Sequence, residues 1–577
     1  MEDELLKIIH DNEVSLDEAM IGIITSASSL SSSGHPYIAE DSFDYIKKNI
    51  PLLFRNGSHF LNQITTLEAA LNDKDQDLFY NIISNLKVLR NIICTSAITA
   101  PSDLWIARYV LANLKSCGLT KYLTAEGKEL DFFYSLNNFD IPILRSQINF
   151  LLSRGILRQQ DNNICFNSNN DNYEQAIRPI EYNIPSNMVP LLTTIFSGSA
   201  GQYENKVLSI FCKIWSKPSN KSDWFPNWFE IELGYRMVPI VLALTNSIDT
   251  ATVNVGTKLD IPDAISTFFQ TTGIFDESNA LTHYGDRVLK RGPGPFGIIH
   301  AYYPYMQNLA ELTRGERVSV WVARGENVLA SQDANKKSFL IANKMLDQYC
   351  QEKSFEFDVF IEHAVGSGEA TRQRFEANPD KECAYFGADL EDAAIDQAIK
   401  QKAAGVLPPN MEFIRQADIG KPEIVIEALK NQGVDSRNAV MMVGNGFHEI
   451  RNQTNDLMVE ILKKYADAGI ILIFTEESAL ENDDLLNTAW NTYHAGFRFV
   501  HEISGQELRP ARDKVNNPER YSWRLCAREA GYSVLEEYTA KSRTIYPHPR
   551  EDGYNPSISV SYFCVPDVDS QFESVKA

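Results

Sequence analysis

The stretch at 358–369 most constrains what this chain can fold into, because it joins an apolar run to two closely spaced glycines. The run at 359–361 is Val-Phe-Ile, which is typical of a strand buried on both faces. Gly366 and Gly368 follow, and the polar residues from Glu369 predict a helix. A strand, a glycine turn and a helix allow backbone N–H groups to approach a ligand closely. The sequence therefore predicts a ligand site at the end of this strand.

Further apolar runs follow at regular intervals and predict a parallel sheet. They lie at 384–389, 413–414, 439–443 and 470–474. Amphipathic segments lie between them, such as the one in which Leu457, Ile461 and Tyr465 recur at i, i+4 spacing. This alternation indicates a sheet with helices on both faces. Asp389 ends the second run about 20 residues after the glycines, which is the offset of a ribose-binding carboxylate in a nucleotide-binding βαβ unit.

Residues 320–565 resemble the class I S-adenosylmethionine (SAM)-dependent methyltransferases. Glu362-x-Ala364-x-Gly366-x-Gly368 is similar to that family's D/E-x-G-x-G-x-G signature, with Ala364 at the first glycine. A helix predicted at 523–531 and strands predicted at 534–538 and 558–563 are similar to the helix and antiparallel hairpin that close the family's sheet. The resemblance implies an α/β fold with a Rossmann-like seven-stranded methyltransferase sheet, after a mainly α-helical N-terminal region with winged-helix-like modules.

The resemblance implies a SAM site made by the ends of several strands. The implied contacts are Glu362, Ala364, Gly366, Gly368, Asp389, Leu390, Asp418, Ile419, Gly444 and Asn445. In the family, the acid that matches Asp389 binds the ribose, and the pair that matches Asp418-Ile419 lies beside the adenine. A nicotinamide dinucleotide fits less well, because its fingerprint has a third glycine where this chain has Thr371. Glu369 would also oppose a pyrophosphate at the helix N-terminus.

The polar segment after the fourth strand carries the candidate catalytic residues. A methyltransferase must align acceptor, methyl and sulfur, and a hydroxyl or ammonium acceptor must also lose a proton. His448 lies just past the strand, and because an imidazole has a pKa near neutrality, we predict His448 as the general base. Glu449 is predicted to orient it, or else is only a helix N-terminal acid. His448 with Glu476 or Glu477 could hold a divalent metal, but a solvated acidic loop is favoured and no metal is predicted.

The N-terminal region is predicted to hold helical modules. The predicted domains are a helical region at 1–100, a first winged-helix-like module with an aromatic insertion at 101–235, a second module and linker helix at 236–320, and the SAM-binding domain at 321–577. Asp-Ile-Pro recurs at 140–142 and 260–262, each time before an apolar-faced helix and Gly-Ile, which indicates duplication. The modules resemble those of small-molecule O-methyltransferases, where they build a dimer interface and cover the acceptor. The resemblance therefore implies a homodimer through this region.

A second resemblance concerns the segment before the sheet. Asn327-Val-x-x-Ser331 is similar to a stretch in methyltransferase modules of polyketide pathways, where it touches the cofactor. Asn327 and Ser331 are therefore further candidate contacts, and a turn with a helix N-cap is the alternative.

The net charge bears on nucleic-acid binding, and the cysteine spacing bears on the cellular compartment. The formal net charge is −22, which does not predict nucleic-acid binding, because phosphate contacts rely on Lys and Arg. The eight cysteines show no C-x-x-C spacing, which is typical of a cytoplasmic protein with reduced thiols. The N-terminus shows no secretory signal, and no apolar run reaches the length of a membrane span. We therefore predict a cytoplasmic location without a membrane partner.

Together these patterns predict a SAM-dependent methyltransferase for a small-molecule or natural-product acceptor, with oxygen favoured as the acceptor atom. Two alternatives stay open at this point. One is a protein methyltransferase, and the other is a non-catalytic SAM-binding regulator or interaction protein.

Overall fold

The computed structural model describes residues 2–31, 34–124, 126–167, 187–213, 224–316, 320, 325–488, 494–510, 512, 520–542 and 544–567, with side chains from residue 335 onward in the helix that begins at 325. The chain forms two compact units. The first, called here the helical unit, comprises Met1–Val322, Glu481–Ile503 and Ile545–Asn555. The second, called the sheet unit, comprises Ala323–Leu480, Ser504–Thr544 and Pro556–Ala577.

The helical unit is mainly α-helical, as predicted for the N-terminal region. Its helices are Glu2–Asp11, Glu18–Thr25, Glu40–Asn49, Phe54–Leu71, Tyr80–Ser116, Leu130–Tyr134, Ile141–Ser153, Val189–Phe196, Gln202–Phe211, Trp228–Thr245, Asp263–Thr272, His283–Arg291, Pro293–His300, Tyr303–Gln307, Leu309–Thr313, Asn482–Asn487 and His494–Ser504. Short strands at Lys128–Glu129, Leu157–Gln160 and Asn163–Phe166 form a small antiparallel sheet with the third strand in the middle, and Ser29–Leu30 pairs with Pro36–Tyr37.

The two Asp-Ile-Pro segments start helices but continue differently. Asp140 caps the helix Ile141–Ser153 by accepting from Ile143 N at 3.0 Å, and a strand hairpin follows. The second copy leads into Asp263–Thr272 and then into two isolated bridges, Lys258 with Ala280 and Phe275 with Leu281. The described part of the second copy therefore has no hairpin of continuous strands. Residues 168–186 and 214–223 of the predicted first module lie outside the described residues.

Two segments of the predicted 321–577 domain belong to the helical unit instead. Residues 494–504 form a helix whose Gly496 N donates to Asp103 Oδ1 at 3.0 Å, and the ring of Phe499 lies 5.2 Å from that of Phe150. The 545–555 segment is held through Tyr546, whose hydroxyl donates to Asp484 Oδ1 at 2.9 Å. These long-range contacts place both segments in the helical unit, which corrects the predicted 321–577 domain. The sequence prediction missed them because the local sequence carries no signal for contacts of this separation.

The sheet unit is built on one mixed β-sheet. Its strands are β1 Val359–His363, β2 Ala384–Asp389, β3 Glu412–Arg415, β4 Ala439–Gly444, β5 Ile471–Ala479, β6 Arg509–Pro510, β7 Tyr532–Val534, β8 Ala540–Lys541 and β9 Ser559–Pro566. The order across the sheet is β7–β9–β5–β4–β1–β2–β3, while β6 pairs with β5 and β8 pairs with β9. Strands β1 to β5 run parallel, and β9 runs antiparallel to β5 and β7.

Helices cover the sheet on both faces. They are α1 Gly325–Lys353, α2 Glu369–Ala377, α3 Asp392–Ala403, α4 Pro422–Asn431, α5 Asn455–Asp467 and α6 Trp523–Glu529. Ile361 and Met441 belong to the core that includes residues of α4, α5 and α6, and Phe360 and Val440 belong to the core that includes residues of α1 and α3. Successive side chains of a strand point to opposite faces, which explains the continuous apolar runs. The α/β prediction for this region is confirmed.

None of the described helices is both long enough and apolar enough to cross a bilayer.

Candidate functional site

The glycine turn between β1 and α2 is anchored by Glu362. Its Oε1 accepts from Ala370 N at 3.1 Å, and its Oε2 accepts from Thr371 N at 2.8 Å. These are first-turn amides, which have no partner within the helix. Glu362 is 1% exposed, and burial raises its pKa to about 7. In this structure Glu362, predicted as a cofactor contact, fixes the start of α2 with both carboxylate oxygens.

The turn needs the left-handed conformation at three of its positions. Ala364, Gly366 and Gly368 have φ values of 57°, 51° and 83°. A Cβ on Gly368 would lie 2.8 Å from a methyl carbon of Leu407, so a larger residue there would have to adopt a positive φ and also displace that side chain. Ala364 adopts the conformation that glycine adopts freely, at a cost of roughly 1–2 kcal/mol.

Ala364→Gly is therefore expected to stabilise the sheet unit. The relief of backbone strain exceeds the entropy that glycine adds to the unfolded chain, so the free energy of unfolding should rise by about 0.5–1 kcal/mol. Urea denaturation measures this change. Ala394→Gly, inside α3, is the control, and it should lower the free energy of unfolding by about 1 kcal/mol. A loss of stability in Ala364→Gly would contradict the strain at this position.

Asp389 at the end of β2 lies directly against the glycine turn. Its Oδ2 accepts from Gly366 N at 3.2 Å, and its Oδ1 accepts from Glu391 N at 3.0 Å. The side chain is buried, and desolvation raises its pKa. The next residue, Leu390, is 42% exposed, which is high for a large apolar residue beside a buried carboxylate. The structure thus brings together the turn and the acid that were predicted to share a ligand.

Asp418 and Ile419 follow β3 and reach the same edge of the sheet. Ala417 N donates to the backbone oxygen of Asp389 at 2.9 Å, which ties the two strand ends together. Asp418 Oδ1 accepts from Gly420 N at 2.9 Å, and its Oδ2 lies 3.4 Å from Lys421 Nζ. Ile419 is 8% exposed. The predicted adenine pair is therefore next to the predicted ribose acid.

Gly444 and Asn445 end β4 on the other side of β1. A Cβ on Gly444 would lie 2.4 Å from Cζ of Phe339 in α1, so the glycine allows the helix to pack onto the strand end. Asn445 has a φ of 53°, and its Nδ2 donates to Asn335 Oδ1 at 3.0 Å. Its own Oδ1 is a buried atom without a hydrogen-bond partner among the described residues.

His448 lies in the one-turn 3₁₀-helix Phe447–Glu449, immediately after Gly446. Its Nδ1 donates to Glu476 Oε2 at 2.7 Å, and Glu476 Oε1 accepts from Phe447 N at 2.6 Å. Glu449 Oε1 lies 3.6 Å from His448 Nε2, while its Oε2 accepts from Gln506. The carboxylate that orients the imidazole through Nδ1 is therefore that of Glu476, whereas the sequence prediction gave this role to Glu449.

The charge state of His448 differs from that of an ordinary histidine. Burial alone would lower its pKa, but the carboxylates of Glu476, Glu449 and Glu477 raise the pKa to about 9. For Glu477 the effect of burial has the opposite sign, because burial disfavours the charged carboxylate and raises its pKa to about 7. At pH 7 the imidazole is therefore mainly protonated. The sequence predicts a base with a pKa near neutrality. In the structure, His448 is instead part of a buried ion pair, and its imidazole becomes neutral only at alkaline pH.

The segment after residue 504 supports the turn that carries His448. Gln453 Nε2 donates to the backbone oxygen of Phe447 at 3.0 Å, and Gln453 Oε1 accepts from Arg509 Nε at 3.2 Å. Arg509 is 0% exposed and also donates to Asn455 Oδ1 at 3.0 Å. These bonds hold the backbone of the turn at Phe447.

Sequence reasoning missed the role of Glu476, although the register contained the signal. Thr475 pairs with Gly444 across β5 and β4, so the residue after Thr475 lies beside the turn at 447–449. The two metal candidates, Glu476 and Glu477, are both buried, which excludes the solvated acidic loop. The side chains of Asn327 and Ser331 lie outside the described residues.

Comparisons with known proteins give likenesses to methyltransferase structures. The CurJ carbon methyltransferase shares 12% identity, with 82% of this chain and 93% of that chain covered and a TM-score of 0.33. The DszA carbon methyltransferase shares 13% identity, with coverages of 81% and 89% and a TM-score of 0.32. An O-methyltransferase family protein from Burkholderia thailandensis shares 17% identity, with coverages of 51% and 79% and a TM-score of 0.31. No family model and no curated protein matches the chain.

Proposed function

We propose that the sheet unit binds SAM and that the chain transfers the methyl group of SAM to a small-molecule acceptor, with oxygen as the acceptor atom. The observation that carries the proposal is the bond between Gly366 N and the Asp389 carboxylate, at the ends of two adjacent parallel strands. Ligands of open α/β sheets bind outside the carboxyl ends of the strands. When bound, SAM would supply an electrophilic methyl group on a sulfonium.

The start of α2 fits SAM better than a dinucleotide. Glu362 already occupies the amides of Ala370 and Thr371, and Glu369 adds a second carboxylate that pairs with Arg372 at 2.7 Å. A pyrophosphate needs free N–H groups and no negative charge at this end of the helix. SAM carries no phosphate, so neither carboxylate opposes it. The buried carboxylate of Asp389 is suited to accept hydrogen bonds from ribose hydroxyls.

The strand order also supports the proposal. The path β7–β9–β5–β4–β1–β2–β3 contains seven strands, with only β9 and its hairpin partner β7 at the antiparallel end. This agrees with the helix and antiparallel hairpin of the class I methyltransferases that the sequence resembles. We therefore propose a Rossmann-like methyltransferase sheet for this unit.

His448 would take the proton from the acceptor. Glu476 holds Nδ1, so the lone pair of the neutral imidazole is on Nε2. A base with a pKa of about 9 is strong enough to deprotonate an acidic hydroxyl, although only a small fraction of it is neutral at pH 7. Glu476 orients the ring and stabilises the imidazolium that forms.

Asp389→Ala is expected to bind SAM and S-adenosylhomocysteine at least tenfold more weakly, about 1.4 kcal/mol, because one charge-assisted hydrogen bond is lost. Calorimetry measures the affinity. Asp389→Asn keeps the shape and acceptor oxygen that Gly366 N needs, and it should lose affinity without unfolding. Asp396→Ala, an exposed acid that pairs with Arg415, is the control. Unchanged affinity in both Asp389 variants would refute the proposal.

The acceptor class can be tested with labelled SAM. Incubation with hydroxylated small molecules and, separately, with cell-extract proteins should place the methyl label in the small-molecule fraction. Label in a polypeptide would instead favour a protein methyltransferase, and SAM binding without transfer would favour a regulator. The homodimer and the cytoplasmic location stay predictions, and light scattering tests the first of them.

A further inference from the structure

We propose that Arg509 is a positioning residue for His448. Through the side chain of Gln453, it holds the turn 447–449 at the distance from β5 at which Glu476 bonds the imidazole. The inference rests on the proposed function, because this placement affects the reaction only if His448 is the base. Neither Arg509 nor Gln453 is among the site residues predicted from the sequence.

The first argument is the place of Arg509 beside β5. Strand β6 pairs in parallel with β5, and Arg509 is the register partner of Ser478. Glu476 lies two residues before Ser478 on the same strand. The backbone of Arg509 is therefore fixed relative to the strand that carries Glu476.

The second argument is the set of bonds that the guanidinium group makes. Its Nε donates to Gln453 Oε1 at 3.2 Å, and its Nη2 donates to the backbone oxygen of Thr454 at 3.0 Å. Its Nη1 donates to Asn455 Oδ1 at 3.0 Å and to the backbone oxygen of Tyr521 at 3.1 Å. All three nitrogens are thus bonded, and their fork is rigid. The acceptors cannot shift against β6 without the loss of a hydrogen bond.

The third argument is the bond by which Gln453 reaches the turn. Its Nε2 donates to the backbone oxygen of Phe447 at 3.0 Å. That oxygen belongs to the peptide unit between Phe447 and His448, whose N–H donates to Glu476 Oε1 at 3.4 Å. Gln453 and Glu476 therefore hold the same planar peptide unit. The imidazole that extends from it donates to Glu476 Oε2 at 2.7 Å.

The fourth argument is that a buried guanidinium is a costly way to fill this space. Arg509 is 0% exposed, and burial lowers its pKa. Among the described residues, none of the oxygens that accept from it belongs to a carboxylate. An apolar side chain of similar volume would avoid the desolvation of a charge. The arginine is explained if its fork is needed to hold these polar groups in one arrangement.

Two changes at Gln453 separate positioning from stability. Gln453→Glu can still accept from Arg509 and gives the buried charge a partner, but a carboxylate has no proton to donate to the Phe447 oxygen. Gln453→Met is of similar length and removes both bonds. Gln432→Glu and Gln432→Met are the matched controls, because Gln432 is exposed on the same unit. Urea denaturation measures the stability of each variant.

Gln453→Glu should unfold at a higher urea concentration than Gln453→Met, because Arg509 keeps a partner. Both variants should nevertheless lower kcat about tenfold or more, since a misplaced base is costly, and both should keep the KM for SAM within about twofold. The Gln432 variants should change neither constant. A wild-type kcat in Gln453→Glu would overturn the inference, because the bond to the turn would then have only a structural role.

Arg509→Lys tests whether Arg509 acts through Gln453. Lysine keeps the charge but cannot bond all the acceptors of the fork, so kcat should fall. The double variant Arg509→Lys/Gln453→Met should be about as slow as Arg509→Lys alone, because its second change breaks a link that is already lost. Losses that multiply would overturn the inference. If Arg509→Lys does not fold, the two Gln453 variants still decide the question.

A readout without turnover distinguishes this inference from the proposed function. Nuclear magnetic resonance of the histidine rings follows the titration of His448, whose signal is the one missing in His448→Gln. Gln453→Met should lower the pKa of His448, since a looser turn weakens its bond to Glu476, and Gln432→Met should leave it in place. An unchanged titration in Gln453→Met would overturn the inference. If the wild type transfers no methyl group from SAM, the proposed function fails, while this titration still reports on the turn.

Discussion

His448→Gln is expected to bind S-adenosylhomocysteine as the wild type does and to turn over at least about 100-fold more slowly, since general-base catalysis contributes roughly 10²–10⁴-fold. The glutamine amide can still donate to Glu476, so the buried carboxylate keeps a partner. It cannot accept a proton from the substrate. Steady-state kinetics with labelled SAM, together with calorimetry, separates the two effects. Turnover near the wild-type rate would remove His448 from the mechanism.

The pH dependence of the reaction rate gives a second test of His448 as the general base. Because the facing carboxylates raise the pKa of His448 to about 9, the wild-type rate should rise with pH and level off near that value. Glu476→Gln removes the nearest negative charge, so the pKa of His448 should fall and the rising limb should move to lower pH. A limb that stays in place in Glu476→Gln would show that another group is the base.

The second large effect is on stability. His448 has a folded-state pKa of about 9 against about 6.5 for an unperturbed histidine, so the folded state binds a proton more tightly than the unfolded state. Its contribution is complete below pH 6.5 and is lost as pH rises through 9. We expect the free energy of unfolding to fall by about 3 kcal/mol over this range because of this group.

The buried carboxyl groups titrate at lower pH and can be separated from His448. The pKa values of Glu362 and Glu477 are raised to about 7. Their contributions to the free energy of unfolding are therefore lost mainly between pH 4.5 and 7. Buried thiols such as that of Cys383, whose pKa burial raises to about 11, also lose stability between pH 7.5 and 9.5, so urea denaturation at these two pH values assigns the His448 contribution only by the difference between wild type and variant. His448→Gln and Glu476→Gln should both reduce the difference between these two pH values. An equally steep loss in His448→Gln would contradict the ion pair.

The parts of the site that sequence reasoning predicted are local ones. Apolar runs identify β1 and β4, and the spacing from the glycines to Asp389 places the acid at the next strand end, where the structure has it bonded to Gly366. Glu476 was not recognised as the partner of His448, because the residues are 28 positions apart and meet only through the register of β4 and β5. The pKa of His448 was also out of reach, since it depends on burial and on three carboxylates.

The domain boundaries also depend on contacts between residues far apart in the sequence, which local patterns do not predict. The described residues at 481–488, 494–503 and 545–555 follow strands of the sheet in the sequence, yet they belong to the helical unit. Their contacts, such as Gly496 N with Asp103, join residues 393 positions apart. No local periodicity reports a contact of that separation.

Hydrogen–deuterium exchange with and without SAM tests the central claim most directly, because it reports where on the sheet the ligand lies. Saturating SAM should slow amide exchange at 364–371, 389–391 and 444–446, three segments at the ends of neighbouring strands, and leave the exposed face of α3 unchanged. Saturating SAM that changes none of these segments, or that protects only residues elsewhere, would contradict the account.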